Sequence, residues 1–144
     1  MKVGIAGCGG IALGYAAFLL KEGHQVTVWS PSGVSSRPLV GTELEVSGVL
    51  EGRFAVKVSA SAAEMMASSD VIIIAVPGYG HRKVIDAIVP FARDGQSLIV
   101  SAQLSLSAYY LSRALAARGI AADVAAWATT VLMSRRTGPK IGRA

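Results

Sequence analysis

The clearest chemistry in the sequence belongs to a short segment near its start, made of Gly7, Cys8, Gly9, Gly10, Ile11 and Ala12. This segment fits the pattern G-x-G-x-x-[G/A], in which each fixed position has a physical reason. Gly7 permits a tight turn out of a strand, Gly9 lets the backbone approach a diphosphate, and Ala12 lets a helix pack closely. We expect the free N–H groups at the start of that helix to hold the diphosphate of a dinucleotide.

A second group of residues lies where dinucleotide-binding proteins select their coenzyme. An acidic side chain after the second strand binds the ribose 2′-hydroxyl and repels a 2′-phosphate. Residues 29–37 contain no Asp or Glu. The sequence therefore favours NADP(H), with NAD(H) still possible, and Ser30 and Ser32 are expected hydroxyl donors with Arg37 as a phosphate partner. The alternative is that these residues form a polar loop that binds no ligand. Trp29 is also assigned to this site, but it is expected to end the second strand rather than to stack on adenine.

Four further residues are candidates at the exit of the fourth strand and in the turn. Val76 and Pro77 are expected beside the glycine turn, where they would line the nicotinamide ribose region. His81 is predicted to open a helix and to cap it, which is favoured over a catalytic role. A helix start near Cys8 could lower its thiol pKa, but packing beneath the turn is the favoured interpretation.

The elements that must position these residues alternate between strand and helix. Apolar, β-branched runs predict strands, and apolar residues at helical spacing predict the helices between them. This order is typical of a doubly wound, mostly parallel α/β sheet of the Rossmann type with three αβα layers and one domain over residues 1–144. The predicted strands are Lys2 to Ala6, Gln25 to Trp29, Ala55 to Val58, Val71 to Val76, Ser97 to Val100 and Asp123 to Trp127, and the predicted helices are Ile11 to Glu22, Ala62 to Ala67, His81 to Ala92 and Ser107 to Arg118.

Two stretches fit this alternation poorly. Residues 30–41 are rich in Ser, Pro and Gly and are predicted to form a loop. Residues 44–58 have alternating apolar positions interrupted by Gly48 and Gly52, which predicts an irregular β-ribbon. Pro77 to Gly80 is expected to separate the fourth strand from the helix at His81.

Composition excludes several classes of protein. Hydrophobic residues make up 52% of the chain and charged residues 16%, which excludes a disordered polyelectrolyte. The net charge of +5 comes largely from late basic residues without interleaved aromatics, so we expect a solvated or subunit-facing basic surface and no nucleic acid partner. One cysteine and two histidines predict no metal site and a reduced, cytoplasmic setting. The apolar runs are too short to span a membrane.

Six parts of the sequence carry a resemblance to a known family: Gly7 to Gly10, Val28 to Ser30, Gly48 to Gly52, Asp70 to Pro77, His81 and Asp94 to Gln96. Together they resemble the nucleotide-binding domain of the octopine/nopaline (opine) dehydrogenase family over nearly the whole chain. The resemblance implies NAD(P)H-dependent reductive condensation of an amino acid with a 2-oxo acid. It also implies that the catalytic histidine and its carboxylate partner lie in a second, helical domain, which no position here matches, so no catalytic residue is assigned.

The resemblance leaves some features open. After the fifth strand, Ser101 to Leu104 replaces the family's Asn-Pro-Gly-like turn, which leaves the substrate undetermined. The glycine motif and Val76-Pro77 are shared with ketopantoate reductase and glycerol-3-phosphate dehydrogenase types, which are therefore alternatives within the enzyme class. A non-catalytic nucleotide-sensing module is the alternative from another class. Apolar surface left at a missing domain interface could also allow a homodimer.

Overall fold

A computed structural model describes residues 1–102, 106–137 and 140–142 of the chain. Short 3-10 turns occupy Arg37–Leu39 and Val89–Phe91. No helix among these residues has the length and apolarity needed to cross a membrane. In chain order the elements are β1 (Lys2–Ala6), α1 (Gly10–Lys21), β2 (Gln25–Trp29), β3 (Glu43–Val46), β4 (Gly52–Ala55), β5 (Lys57–Val58), α2 (Ala62–Ala67), β6 (Val71–Ile74), α3 (Gly78–Ile88), β7 (Ser97–Val100), α4 (Ser107–Ala116), β8 (Asp123–Ala126), β9 (Arg135–Thr137) and β10 (Lys140–Gly142).

The described strands form a central six-stranded sheet in the order β5-β2-β1-β6-β7-β8, with every pair parallel. Its inner strands are apolar on both faces because both faces are covered. The chain runs from β1 outward through β2 to β5, and α2 then returns it to β6 on the other side of β1. This reversal of strand order places a ligand crevice at the carboxyl ends of β1 and β6. The predicted doubly wound fold is confirmed.

The two faces of the central sheet are covered differently. On one face α2, α3 and α4 pack around fully buried side chains such as Met65, Ile72 and Ile85. On the other face α1 packs with Ile5 and Leu44 in a separate core. There a second sheet of order β4-β3-β10-β9 completes the layer beside α1.

This second sheet corrects the expectation for residues 44–58. The segment predicted as an irregular ribbon forms a regular antiparallel hairpin, β3–β4, in the register Leu44 opposite Phe54. The hairpin is regular because β10 pairs with β3 from a distant part of the chain, through Ile141 and Val46. The short final strand is present as β5, at residues 57 and 58.

The boundary between β6 and α3 is also different from the prediction. Helix α3 begins at Gly78 rather than His81, with Pro77 as its N-cap residue. A proline is tolerated there because the N–H it lacks would have no helical acceptor. His81 is therefore inside the first turns of α3 and is 1% exposed, so the predicted capping role is wrong. Helix α3 ends before Pro90 in a 3-10 turn, as the proline predicted.

Candidate coenzyme-binding site

The turn between β1 and α1 can be formed only with glycine at position 7. Gly7 has φ of 144°, a conformation that L side chains rarely adopt, and its N–H donates to the carbonyl of Trp29 at 2.8 Å. A Cβ added at Gly7 would lie 2.3 Å from the carbonyl oxygen of Ala75. The turn is therefore pressed between the ends of β2 and β6, and this contact fixes where α1 begins.

Gly9, unlike Gly7, is next to open space. It is the N-cap residue of α1, and a Cβ added to it would meet no atom within 4 Å. The space in front of it belongs to a cleft of about 260 Å³. Because the first N–H groups of a helix lack helical acceptors and lie at its positive end, this opening fits an anion. The cleft is lined by Gly9, Gly10, Ile11, Ala75, Val76, Pro77, Ser101, Ala102 and Thr130.

At the next two glycines the side-chain position is blocked by close packing. A Cβ on Gly10 would lie 2.5 Å from the carbonyl oxygen of Ser134, and one on Gly14 would lie 2.4 Å from the Ser134 Oγ. The Ser134 hydroxyl donates to the Gly10 carbonyl at 2.6 Å. Ala12 is fully buried, in line with its expected role in close helix packing. Sequence reasoning missed the contact with Ser134, although glycines four residues apart on a helix are the signal of a close backbone neighbour.

Cys8 is buried beneath the turn and does not face the cleft opening. Burial raises the pKa of its thiol from 9.0 to about 11, outweighing the opposing effects of the Arg136 charge and a hydrogen bond with Ser30. The thiol is therefore protonated at neutral pH. The helix start does not activate it, and Cys8 fills space under the turn.

A second pocket of about 550 Å³ lies at the carboxyl ends of β2 and β5. Ser30 is buried there, and its hydroxyl donates to the Oγ of Ser36 at 3.2 Å, so this proton is already shared within the loop. Ser32 and Arg37 are exposed at the rim. Trp29 is buried and ends β2, as expected. None of the residues lining this pocket is acidic; they are Trp29, Ser30, Pro31, Ser32, Gly33, Ser36, Arg37, Val40, Val58, Ser59 and Ala60.

The exit of β6 is held by a buried histidine. His81 Nε2 lies 3.0 Å from the carbonyl oxygen of Val76, and because a carbonyl can only accept, this nitrogen is the donor. Its Nδ1 lies 2.8 Å from the Ser107 Oγ at the start of α4. His81 thus fixes Val76, which lines the cleft together with Pro77. Its burial gives it a positioning role and not contact with a ligand in the cleft.

The opposite wall of the cleft follows β7. Ser101 is buried, and its Oγ is 2.6 Å from the hydroxyl of Tyr15, which also accepts the N–H of Val131 at 3.2 Å. Ala102 has φ of 53°, the left-handed region that disfavours a side chain. Gln103 and Leu104, the rest of the segment that departs from the opine dehydrogenase pattern, lie outside the described residues.

One of the late basic residues, expected on a solvated or subunit-facing surface, instead contacts the glycine turn. Arg136 on β9 is half-buried, and its guanidinium donates to the carbonyls of Cys8 and Ser35. It therefore touches both the glycine turn and the loop of the second pocket. Among the described residues, no group of three or more His, Cys, Asp or Glu side chains is placed to hold a metal ion.

Comparison with known proteins agrees with this geometry. The family model of ketopantoate reductase PanE/ApbA matches residues 3–131. Glycerol-3-phosphate dehydrogenase (NAD(P)+) 2 of Lactobacillus delbrueckii subsp. bulgaricus is 29% identical over 100 residues, which cover 68% of this chain and 29% of that protein. Ketopantoate reductase, the family that the model describes, is one of the alternatives that the sequence left open beside the opine dehydrogenases.

Solved structures show the same fold. Octopine dehydrogenase with NADH and pyruvate superposes with a TM-score of 0.83 at 19% identity, covering 99% of this chain and 40% of that one. The putative 2-dehydropantoate 2-reductase from Enterococcus faecalis gives a TM-score of 0.76 at 16% identity, covering 99% and 45%. The resemblance to the opine dehydrogenase nucleotide-binding domain is confirmed at the level of fold.

The chain spans less than half the length of each of these relatives. The open backbone at Gly9, the cleft in front of it and the second pocket beyond β2 fit the parts of a dinucleotide. The chain belongs to the ketopantoate reductase PanE/ApbA family.

Proposed function

We propose that this chain binds NADP(H) in preference to NAD(H) and serves as the coenzyme-binding part of an enzyme that reductively condenses an amino acid with a 2-oxo acid. The observation that carries the coenzyme preference is the pocket beyond β2, whose lining contains Arg37 and several hydroxyls but no carboxylate. A carboxylate there would repel a 2′-phosphate, whereas a guanidinium and hydroxyls can donate to it.

In this proposal each half of the site has its own task. The N–H groups from Gly9 to Ile11 hold the diphosphate, while Ser32 and Arg37 contact the phosphorylated ribose. Val76 and Pro77 support the nicotinamide ribose, and the bound coenzyme supplies a hydride. Ser30 would accept from the ribose while keeping its own proton on Ser36. Cys8, Ala12 and Trp29 shape the site from below through packing, and Gly10 combines its N–H toward the diphosphate with close packing on its other side.

The substrate assignment is supported by the degree of the structural likeness. Octopine dehydrogenase, solved with pyruvate and with L-arginine, superposes on this chain with TM-scores of 0.83 and 0.81, whereas the 2-dehydropantoate 2-reductase gives 0.76. The family model favours a second candidate, the reduction of a 2-oxo acid without an amine, as in ketopantoate reductase. The two candidates share the 2-oxo acid and differ in the requirement for an amine.

Titration calorimetry with NADPH and NADH tests the coenzyme preference. We expect NADPH to bind at least about tenfold more tightly, and we expect Arg37→Met to reduce that ratio about tenfold by weakening NADPH alone, since one charge-assisted contact is lost. Arg53→Met, which removes an exposed charge on β4, should leave both affinities unchanged. Tighter binding of NADH by the unaltered chain would refute the preference.

A turnover assay tests the reaction. We expect this chain alone to oxidise no NADPH, because we place the proton-transferring groups outside its 144 residues. The complete enzyme that contains this chain should oxidise NADPH with a 2-oxo acid only when an amino acid is also present. Equal rates with and without the amine would favour the ketopantoate reductase type of reaction. Robust turnover by this chain alone would contradict the placement of the proton-transferring groups outside its 144 residues.

A further inference from the structure

We propose that Arg136 is a positioning residue that joins the two halves of the coenzyme site by bridging the glycine turn to the loop of residues 30–36. This inference rests on the coenzyme site proposed above and adds a residue that lies 100 positions or more from both segments it joins. It assigns a role to the late basic stretch that the sequence left as a charged surface.

The bridge is made by one nitrogen of the guanidinium. The Arg136 Nη1 donates to the carbonyl of Cys8 at 2.9 Å and to the carbonyl of Ser35 at 2.7 Å. Cys8 belongs to the turn that faces the diphosphate cleft, and Ser35 belongs to the loop over the second pocket. Hydrogen bonds from a charged donor are roughly twice as strong as neutral ones, so this bridge restrains the separation of the two segments.

The backbone at and just before Arg136 packs against the first turn of α1. A Cβ on Gly10 would lie 2.5 Å from the carbonyl oxygen of Ser134 and 3.0 Å from the backbone nitrogen of Arg136. The Ser134 hydroxyl also donates to the Gly10 carbonyl at 2.6 Å. The start of β9 is therefore in direct contact with the first turn of α1. Arg136 cannot move away from the glycine turn unless this contact is broken.

The effect of the bridge is to order the loop before the coenzyme arrives. The loop from Ser30 to Ser36 is held internally by hydrogen bonds of 3.1 to 3.2 Å. The Gly33 N–H donates to the Ser30 carbonyl, the Ser30 hydroxyl donates to Ser36, and the Ser36 hydroxyl donates to the Gly33 carbonyl. A dinucleotide must contact the turn and the loop at once, and ordering the loop during binding would cost affinity. Arg136 lowers that cost by tying Ser35 to the turn. It also places a positive charge close to where the diphosphate would lie.

The first arm of the test measures coenzyme affinity in three variants. Arg136→Met removes the bridge, Arg136→Lys keeps the charge with a single donor group, and Arg135→Met removes the exposed charge next to it on β9. We expect Arg136→Met to weaken both NADPH and NADH about tenfold, Arg136→Lys to recover part of the loss, and Arg135→Met to match the unaltered chain. The thermal midpoint of each free variant shows whether the fold is retained.

The second arm needs no coenzyme. Cys8 is the single cysteine of the sequence and is buried beneath the turn, so its rate of reaction with an aromatic disulfide reports how often the turn opens. We expect Arg136→Met to raise this rate several-fold at an unchanged thermal midpoint, whereas Arg135→Met does not and Arg136→Lys partly restores it. If Arg136→Met unfolds the chain, the Cys8 labelling rates of Arg136→Lys and Arg135→Met are compared instead, and we expect the higher rate in Arg136→Lys.

The two arms separate this inference from the proposed function. If the unaltered chain binds neither coenzyme while loss of Arg136 still accelerates Cys8 labelling, the coenzyme proposal fails and the bridge stands. If the Arg136 and Arg135 variants show equal affinities and equal labelling rates, the bridge has no role and the inference is overturned.

Discussion

The glycine turn and the loop of residues 30–36 are two halves of one site, built by different means. The turn is held by backbone contacts so close that a single added carbon at Gly7 would collide with Ala75. The loop is held by hydrogen bonds from its own backbone and hydroxyls and from one guanidinium of a distant strand. Because every dinucleotide has the same diphosphate, the rigid half can serve any of them. The half made of side chains is the one that can distinguish their riboses.

The largest expected difference separates two glycines of the same turn. Gly7→Ala should lower the free energy of unfolding by at least about 3 kcal/mol, because it introduces a strained φ and a clash with the Ala75 carbonyl. Gly9→Asp should leave urea unfolding nearly unchanged, since the position opens onto free space, but abolish coenzyme binding by placing a carboxylate against the diphosphate.

Urea unfolding and calorimetric titration of both variants check this contrast. Unchanged coenzyme affinity in Gly9→Asp would contradict the placement of the diphosphate. A Gly7→Ala variant as stable as the parent would contradict the close approach of the turn to β6.

The pKa of the Cys8 thiol reports how completely the folded glycine turn excludes water. Its folded pKa is about 11 and its ordinary value is 9.0, so between these values the unfolded chain releases a proton that the folded chain keeps. Stability must therefore fall as pH rises through this window, by about 2 kcal/mol at pH 10.5 relative to pH 8. Cys8→Ala should lack this part of the pH dependence.

Urea unfolding of the two proteins at pH 8 and pH 10.5 measures the effect, and the other titrating groups cancel in the difference between them. The same pH dependence in both proteins would mean that the Cys8 thiol is accessible to solvent and that the turn is open.

The smallest expected effect concerns the far wall of the cleft. Ala102 has a left-handed backbone conformation, so Ala102→Gly should relieve strain and raise the free energy of unfolding by about 0.5 kcal/mol after the greater freedom of glycine in the unfolded chain is subtracted. The control is Ala114→Gly inside α4, which should lower stability by about 1 kcal/mol. Urea midpoints that shift in the same direction for both would show that Ala102 is unstrained.

Much of the central fold could be predicted because its signals are local. The β-branched run from Val71 to Ile74 is apolar on both faces, and such a run indicates a covered parallel strand. Gly7 and Gly9 were identified from a hexapeptide. The start of α3 was not predicted, because a proline followed by two glycines within three residues is locally typical of a turn that separates two elements. The contacts that favour the helix are tertiary, since buried His81 lies against Val76 and Ser107.

Residues 132 to 136 were missed for a different reason. Their contacts with Gly10, Gly14, Cys8 and Ser35 span about 100 residues or more of sequence, and no periodicity within β9 reveals them. The regular β3–β4 hairpin was missed in the same way, since its partner β10 comes at the end of the chain. Local patterns determine which segments are strands but not which distant segment they pair with.

The sequence by itself determined that a strand, a glycine turn and a helix meet in that order, because backbone freedom and apolar periodicity are properties of adjacent residues. Only the tertiary structure decided which glycines face the ligand and which pack against Ser134, and that Arg136 reaches the turn. A Cβ collision or a hydrogen bond depends on atoms brought together by the whole fold, and those distances are not encoded in spacing along the chain.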